Sequence, residues 1–176
     1  KRQDRVNRAL PDAWSFATPE EALHARSHSA EQALQRLGVT PPNDDMLHVM
    51  QSAVMAIASH GRGLFSANRA LLPQGVPLRD LWQWCTTVRE HRGDSHVAAL
   101  AVLGINGLEA TVLLAIEQGI DLEMFEESRG WHHDHMSRTV ERLVKIGLLE
   151  SRDRLSDAGR KLRVEVEDMT DRQAFV

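Results

Sequence analysis

Apolar residues recur at helical spacing along most of this chain, and a strand-like alternation is confined to residues 148–155. Two capping boxes mark where helices begin. The first, Thr18 to Glu21, predicts a helix from about Pro19 to Leu37, and the second, Asn106 to Glu109, predicts a helix that continues through Glu117. The sequence therefore predicts an all-α, multi-helix protein with one short, vestigial β-wing.

Further helices follow from the same periodicity and from the glycines and prolines between them. The turn cluster Pro73 to Pro77 is the best internal boundary. We therefore divide the chain into an N-terminal helical region, 1–77, and a winged-helix region, 78–176, which form either two domains or one continuous domain. The remaining predicted helices cover about residues 44–60, 64–72, 78–91, 95–103, 121–127, 134–146 and 157–173.

The segment Arg129 to Gly159 has the order of a winged helix-turn-helix: a helix, a Gly-Leu-Leu stop, a short polar turn and a newly capped helix. A protein that reads a DNA duplex needs one helix slim enough for a major groove about 12 Å wide and a hairpin beside the backbone. Val140, Leu143, Val144 and Leu148 form the predicted buried stripe of this helix. The candidate DNA contacts are Ser137, Arg138 and Arg142 on the other face and Arg152 and Arg154 in the wing.

The charge pattern limits the interpretation as a DNA-binding protein. Because 21 Lys and Arg stand against 25 Asp and Glu, bulk charge does not draw the protein to nucleic acid. Residues 138–163 contain eight basic and four acidic residues, whereas residues 121–149 contain six acidic and four basic residues. The electrostatic footprint for DNA is therefore local and weak.

The single cysteine, Cys85, excludes an intrachain disulfide framework and agrees with a reducing compartment. Its position among tryptophans predicts that it is buried. No apolar run approaches the roughly 18 residues of a membrane span, and no apolar signal region follows the basic N-terminus. We therefore expect a cytoplasmic protein with no membrane partner.

A second candidate site is the polar run Arg89 to His96, in which Gly93 is predicted to break the helix and to fold His91 and His96 toward one corner. Three interpretations stay open. The corner is purely structural and held by Asp94 as a cap, or it binds a carboxylate or phosphate, or it binds a transition metal. The predicted ligand-binding residues are Arg62, Asn68, Trp82, Arg89, His91, Arg92, Asp94 and His96, and the predicted metal ligands are His91, Asp94 and His96.

The sequence offers little support for catalysis. It has no Gly-x-Ser-x-Gly elbow, no Gly-rich phosphate loop, no dinucleotide fingerprint and no tyrosine, and no cofactor can be named from it. A ligand- or metal-binding protein or enzyme of secondary metabolism that uses the run Arg89 to His96, with the winged helix as a scaffold, is the alternative hypothesis.

Two resemblances to known families rest on particular motifs. Ser137-Arg138, Gly147-Leu148-Leu149 and the run Leu155 to Arg160 resemble the MarR-type winged helix. Over nearly the whole chain, the sequence also resembles the SalK-like family of actinobacterial helix-turn-helix proteins, whose members are usually longer at the N-terminus. The segments that carry this second resemblance are Leu10 to Trp14, Gly61-Arg62, Asn68, the HRGDxH box within Arg89 to Leu100, and Arg129 to Trp131.

These resemblances imply a winged-helix fold and make a MarR-like, DNA-binding transcriptional regulator the leading hypothesis. We expect double-stranded DNA and a small molecule as partners, with the small-molecule pocket around residues 82–96. We also expect either a homodimer through the terminal helices or a partner chain that supplies the N-terminal region of the longer relatives. A ligand would act by shifting the distance between the two recognition helices of the dimer, because it binds one arrangement of the dimer more tightly than the other.

Overall fold

The computed structural model describes residues 14–124 and 131–175 of the 176-residue chain. Helices account for most of the described residues, and the strands form one short hairpin. The elements are α1 (Pro19–Arg36), α2 (Asp44–Ala56), α3 (Gly63–Arg69), α4 (Pro77–Val102), α5 (Gly107–Gln118), α6 (His133–Lys145), β1 (Leu149–Ser151), β2 (Arg154–Leu155) and α7 (Asp157–Ala174). The predicted all-α fold with a small wing is confirmed.

Both predicted capping boxes are present. The Thr18 hydroxyl accepts a hydrogen bond from the Glu21 amide at 3.2 Å, and the Glu21 carboxylate accepts one from the Thr18 amide at 2.8 Å. The bond from the Thr18 amide, followed by the interaction of the carboxylate with the Thr18 side chain, lowers the pKa of Glu21 below its usual value. Asn106 and Glu109 form the same reciprocal pair at the start of α5. The local sequence thus sets these two helix starts, because each box satisfies N–H groups that have no partner within the helix.

The chain forms two compact units that divide between Asp94 and Ser95, within helix α4. The predicted boundary at residues 77 and 78 lies at the start of that helix. In the first unit, Val54, Phe65 and Trp84 form a buried cluster. Helices α2, α3 and α4 each contribute one of these side chains, so the cluster holds the three helices together.

The second unit has its own core around the helix-turn-helix elements. Its buried residues come from α5, α6 and the two strands, and Trp131 packs against them. The strands are antiparallel, with Leu149 opposite Leu155. The wing therefore contributes two apolar side chains to the same core that holds α6. The core residues are Val112, Leu113, Met136, Val140, Leu143, Leu149 and Leu155.

The predicted helix break at Gly93 is wrong. Helix α4 continues from Pro77 to Val102, so no corner separates His91 from His96. A glycine inside a helix costs about 1 kcal/mol relative to alanine, which packing readily outweighs. A buried stripe runs through the position without interruption and supplies that packing: Trp84, Thr87, His91, Ser95 and Ala99.

Three smaller predictions also need correction or fall outside the description. Val144 is predicted to lie in the buried stripe of α6, but it is 37% exposed. Met136 lies in the core of this unit instead. Cys85 is exposed rather than buried. Of the short helix predicted at residues 121–127, residues 122–124 are helical, residue 121 lies just before them, and residues 125–127 lie outside the described residues.

Within the described ranges, no single helix is long and apolar enough to cross a membrane. Helices α4 and α5 satisfy the length and composition criteria only when they are taken together across a bend of 101°.

Candidate nucleic-acid interface

Helix α6 is held by one apolar face. Met136, Val140 and Leu143 are each at most 2% exposed and follow one another at helical spacing. Burying three such side chains contributes roughly 1.5–3 kcal/mol each to holding the helix on the core. The opposite face of α6 remains in contact with solvent, which is the arrangement that a groove-reading helix requires.

The solvent face of α6 carries the predicted reading residues. Arg138 is exposed, and it forms no ion pair with any residue that the structure describes. Ser137 is half-buried, and its hydroxyl lies 3.4 Å from Nε2 of His133, one turn earlier. Arg152 of the wing donates from Nη2 to the Ser137 hydroxyl at 3.5 Å. The wing tip and the middle of α6 therefore lie side by side on one surface.

Arg142 also lies on this face, but part of its guanidinium is engaged. Its Nε donates to Oε1 of Glu109 at 2.6 Å. The Glu109 side chain is 2% exposed, whereas the Arg142 side chain is 62% exposed. The arginine thus reaches from the surface to a buried carboxylate at the start of α5, and this contact ties α6 to α5.

The wing residues have local partners of their own. Arg154 donates from Nε to Oε2 of Glu150 at 2.7 Å, and both side chains are substantially exposed. The Ser151 hydroxyl donates to the Asp153 carboxylate at 2.6 Å, and this bond lowers the pKa of Asp153. The turn of the wing is therefore organised by its own side chains, and Arg152 is the wing cation that points along α6.

The junction after α6 is tightly built. Gly147 has a φ of 78°, a left-handed conformation that glycine adopts without strain. Its carbonyl accepts a hydrogen bond from the Ser156 hydroxyl at 2.6 Å, and the same hydroxyl accepts one from the Gly159 amide at 3.0 Å. A single serine side chain therefore connects the residue that follows α6 to the start of α7.

Arg62, His91 and Asp94 come together in the first unit as part of its packing. Nη1 of Arg62 donates to the His91 carbonyl at 3.0 Å, and the Phe65 amide donates to the Asp94 carboxylate at 2.9 Å. The His91 ring packs edge-on against Phe65, with the ring centroids 5.0 Å apart. Burial, reinforced by the Arg62 charge and opposed by Asp94, lowers the pKa of His91 below its ordinary value. Asp94 therefore caps α3 rather than a helix that would begin beside it.

The other residues predicted around this run are engaged elsewhere. The Asn68 amide donates to the Leu64 carbonyl at 2.9 Å and also contacts Gln83. The Trp82 ring lies 4.4 Å from the Arg26 guanidinium. Arg89 pairs with its neighbour Glu90, and Arg92 is exposed. Nδ1 of His96 lies 3.3 Å from the Thr170 hydroxyl, within the second unit.

The structure offers no support for the predicted metal site. In the parts of the chain that the structure describes, no group of three or more His, Cys, Asp or Glu side chains could hold a metal ion. The predicted ligand set depended on a helix break at Gly93, and without that break His91 and His96 stand five residues apart on one continuous helix. Residues at that spacing do not share a helix face.

One residue next to the candidate interface was not identified from the sequence. Glu109 was identified only as the third residue of a capping box, yet it is 1% exposed and binds Arg142. A capping glutamate is usually solvated, so the sequence gives no reason to connect it with a residue on α6. The only available signal was the length of the apolar stretch that follows it, which predicts that the start of α5 is buried.

Comparison with known sequences agrees with this architecture. No curated protein and no solved structure matches the chain significantly. The sequence model of a helix-turn-helix family matches residues 2–175. Because that match extends over nearly the whole chain, the protein belongs to this helix-turn-helix family.

Proposed function

We propose that this protein is a transcriptional regulator that binds duplex DNA through a winged helix of the MarR-like type, as a SalK-like member of its family. The observation that carries the proposal is the orientation of α6. Its apolar face is buried, and its other face presents Arg138 next to Ser137, which the wing residue Arg152 contacts. A helix held in this way can enter a major groove while the hairpin follows the adjacent backbone.

In this proposal, the cations on the surface have different tasks. Arg138 extends from the middle of α6 and contacts base edges or phosphates in the groove. Arg152 in the wing turn and Arg154 at the start of β2 contact phosphate, with Ser137 as a short hydrogen-bonding group next to Arg152. The overall net charge of −4 predicts that binding depends on these few local contacts, and each phosphate contact adds about one to the slope of the salt dependence.

The proposal includes a dimer through the terminal helices, because two half-sites are read by two copies of the same helix. The exposed apolar side chains of α7 support this part of the proposal, since Val164 is 60% exposed and Phe175, which follows the helix, is 85% exposed. A dimer would be detected by sedimentation equilibrium, and a chain that stays monomeric at the concentration at which it binds DNA would contradict it.

The proposal also includes a response to a small molecule bound in the first unit. A groove of about 350 Å³ lies beside the buried Trp84, with Leu47, Pro73 and Pro77 as apolar walls and His48 among its polar groups. A volume of this size is at the lower end of ligand sites. A smaller groove of about 140 Å³ has Trp82, a predicted ligand-binding residue, among its lining residues.

The DNA step is tested with Arg138→Ala against a matched control, Arg36→Ala, which removes an exposed arginine from α1. Duplexes selected from a random pool are titrated at several salt concentrations. We expect R138A to weaken binding by roughly 1–3 kcal/mol if it reads a base, or to lower the salt slope by about one if it contacts phosphate. R36A should match the parent protein.

Two results would contradict the proposal. The first is a parent protein that selects and binds no duplex at low salt. The second is an R138A/R142A double variant that binds as tightly as the parent while both proteins are folded. Melting temperatures of all variants separate lost binding from unfolding. This control matters most for the double variant, because R138A removes no ion pair among the described residues, whereas R142A removes the partner of the buried Glu109.

A further inference from the structure

The buried carboxylate of Glu109 divides its two oxygen atoms between two helices. Oε2 accepts a hydrogen bond from the Asn106 amide at 2.9 Å and so completes the cap of α5. Oε1 accepts a hydrogen bond from Nε of Arg142 on α6 at 2.6 Å. With 1% of the residue exposed, Glu109 has exchanged its hydration for these two bonds.

This arrangement constrains the arginine more than an ordinary surface ion pair does. An exposed arginine samples many rotamers, and fixing it in one costs side-chain entropy at the moment of binding. Here the carboxylate is rigid, because it is buried and also held by the cap. The bond to Nε leaves the two Nη groups of Arg142 without an ion pair among the described residues, in a side chain that is 62% exposed.

From this geometry we infer that Glu109 is a positioning residue for DNA binding: it orients the guanidinium of Arg142 so that the free Nη edge faces a phosphate before the duplex arrives. The inference rests on the proposed function and deepens it. Because the ordering is present in the free protein, the cost of immobilising Arg142 is not incurred on binding. Glu109 touches no DNA and acts only through Arg142.

The test uses Glu109→Gln, because glutamine at this position of a capping box still accepts the Asn106 N–H. The amide presents no charged acceptor to Nε of Arg142, so only the second task of Glu109 is lost. Its matched control is Glu117→Gln on the same helix. Glu117 pairs with Arg163, outside the proposed interface, so the control removes one negative charge from an equivalent ion pair. Both changes make the protein less acidic, so a difference between them does not come from net charge.

We expect E109Q to weaken duplex binding about three- to tenfold, the cost of immobilising one long side chain, while E117Q binds as the parent does. A double-variant cycle gives the decisive readout. In an Arg142→Ala background, E109Q should cause no further loss of DNA affinity, because the group that it orients is gone. Equal loss in both backgrounds would overturn the inference, since Glu109 would then act independently of Arg142.

Melting curves without DNA separate this inference from the proposed function. If Glu109 and Arg142 are in contact in solution, the E109Q/R142A double variant lowers the melting temperature by less than the sum of the two single variants. A shift equal to that sum would overturn the contact and with it the inference. If the shifts are sub-additive but the parent protein binds no duplex, the contact is real and the proposed function is refuted. The positioning role then fails with the proposed function. Sub-additive shifts together with E109Q binding as tightly as E117Q would leave a purely structural pair and overturn the positioning role alone.

Discussion

Replacing Gly159 by alanine is expected to destabilise the second unit, although alanine is the better helix former. Gly159 is the third residue of α7, and its Cα lies against the backbone between α6 and the wing. An ideal Cβ at this position would lie 2.1 Å from the carbonyl oxygen of Leu148 and 3.1 Å from its carbonyl carbon. That carbonyl also accepts a hydrogen bond from the Ser156 amide at 3.2 Å, so it is held in place.

The size of the effect follows from the nature of the contact. Real Cβ atoms essentially never approach another heavy atom within 3.0 Å, so α7 or β1 must move by almost 1 Å. Neither atom belongs to a flexible side chain, which points to the upper part of the roughly 1–3 kcal/mol range for overpacking. Alanine recovers up to about 1 kcal/mol of helix propensity. The net loss is about 2 kcal/mol, or about 4–8 °C in melting temperature for a chain of this length.

Thermal unfolding followed by circular dichroism measures this change, with Gly107→Ala as the matched control. Gly107 is the first residue of α5, and a Cβ there meets nothing within 4 Å. We expect G107A to melt within about 2 °C of the parent, since an open first-turn site gains at most part of the propensity difference. A G159A protein that melts with G107A, or above it, would refute the close approach of α7 to Leu148.

Three further predictions test the cores of the two units. Leu143→Ala should cost about 2–5 kcal/mol in urea unfolding, whereas Val144→Ala, at a 37% exposed site, should change stability by less than about 1 kcal/mol; equal losses would contradict the burial pattern of α6. Asp94→Ala should cost about 1–3 kcal/mol, because the Phe65 amide loses its acceptor, and Asp94→Asn should cost less; similar losses would exclude the capping role. Because the folded-state pKa of His91 is lowered, the unfolded chain takes up a proton first as pH falls, so stability should decrease below about pH 6.5, by at most about 1.4 kcal/mol per pH unit. His91→Gln should flatten that dependence, and an unchanged pH profile would contradict the assignment.

Much of the fold was predictable from local chemistry. The boxes at Thr18 and Asn106 and the caps at Asn43 and Ser156 set the starts of four helices, because the groups that satisfy each free N–H lie within three residues of it. Glycine and leucine at the end of α6, followed by a polar turn, likewise predicted the short wing. Family membership agrees with that order of elements.

The errors occurred where distant residues decide the structure. Gly93 has the local chemistry of a helix end, yet the buried stripe from Trp84 to Ala99 carries α4 through it. Asp94 is a good cap in sequence, but the helix that it caps, α3, begins about thirty positions earlier in the chain.

The candidate interface also combines residues whose positions the sequence predicts with a contact that it does not predict. Periodicity alone placed Arg138 and Arg142 opposite the apolar stripe of α6, because side-chain direction in a helix follows from residue number. The pairing of Arg142 with Glu109, 33 residues earlier in the chain, required the packed tertiary structure. Helix starts and helix faces are thus properties of neighbouring residues and can be inferred from the sequence. Which buried carboxylate meets which arginine depends on how two helices pack against each other, and only the tertiary structure decides it.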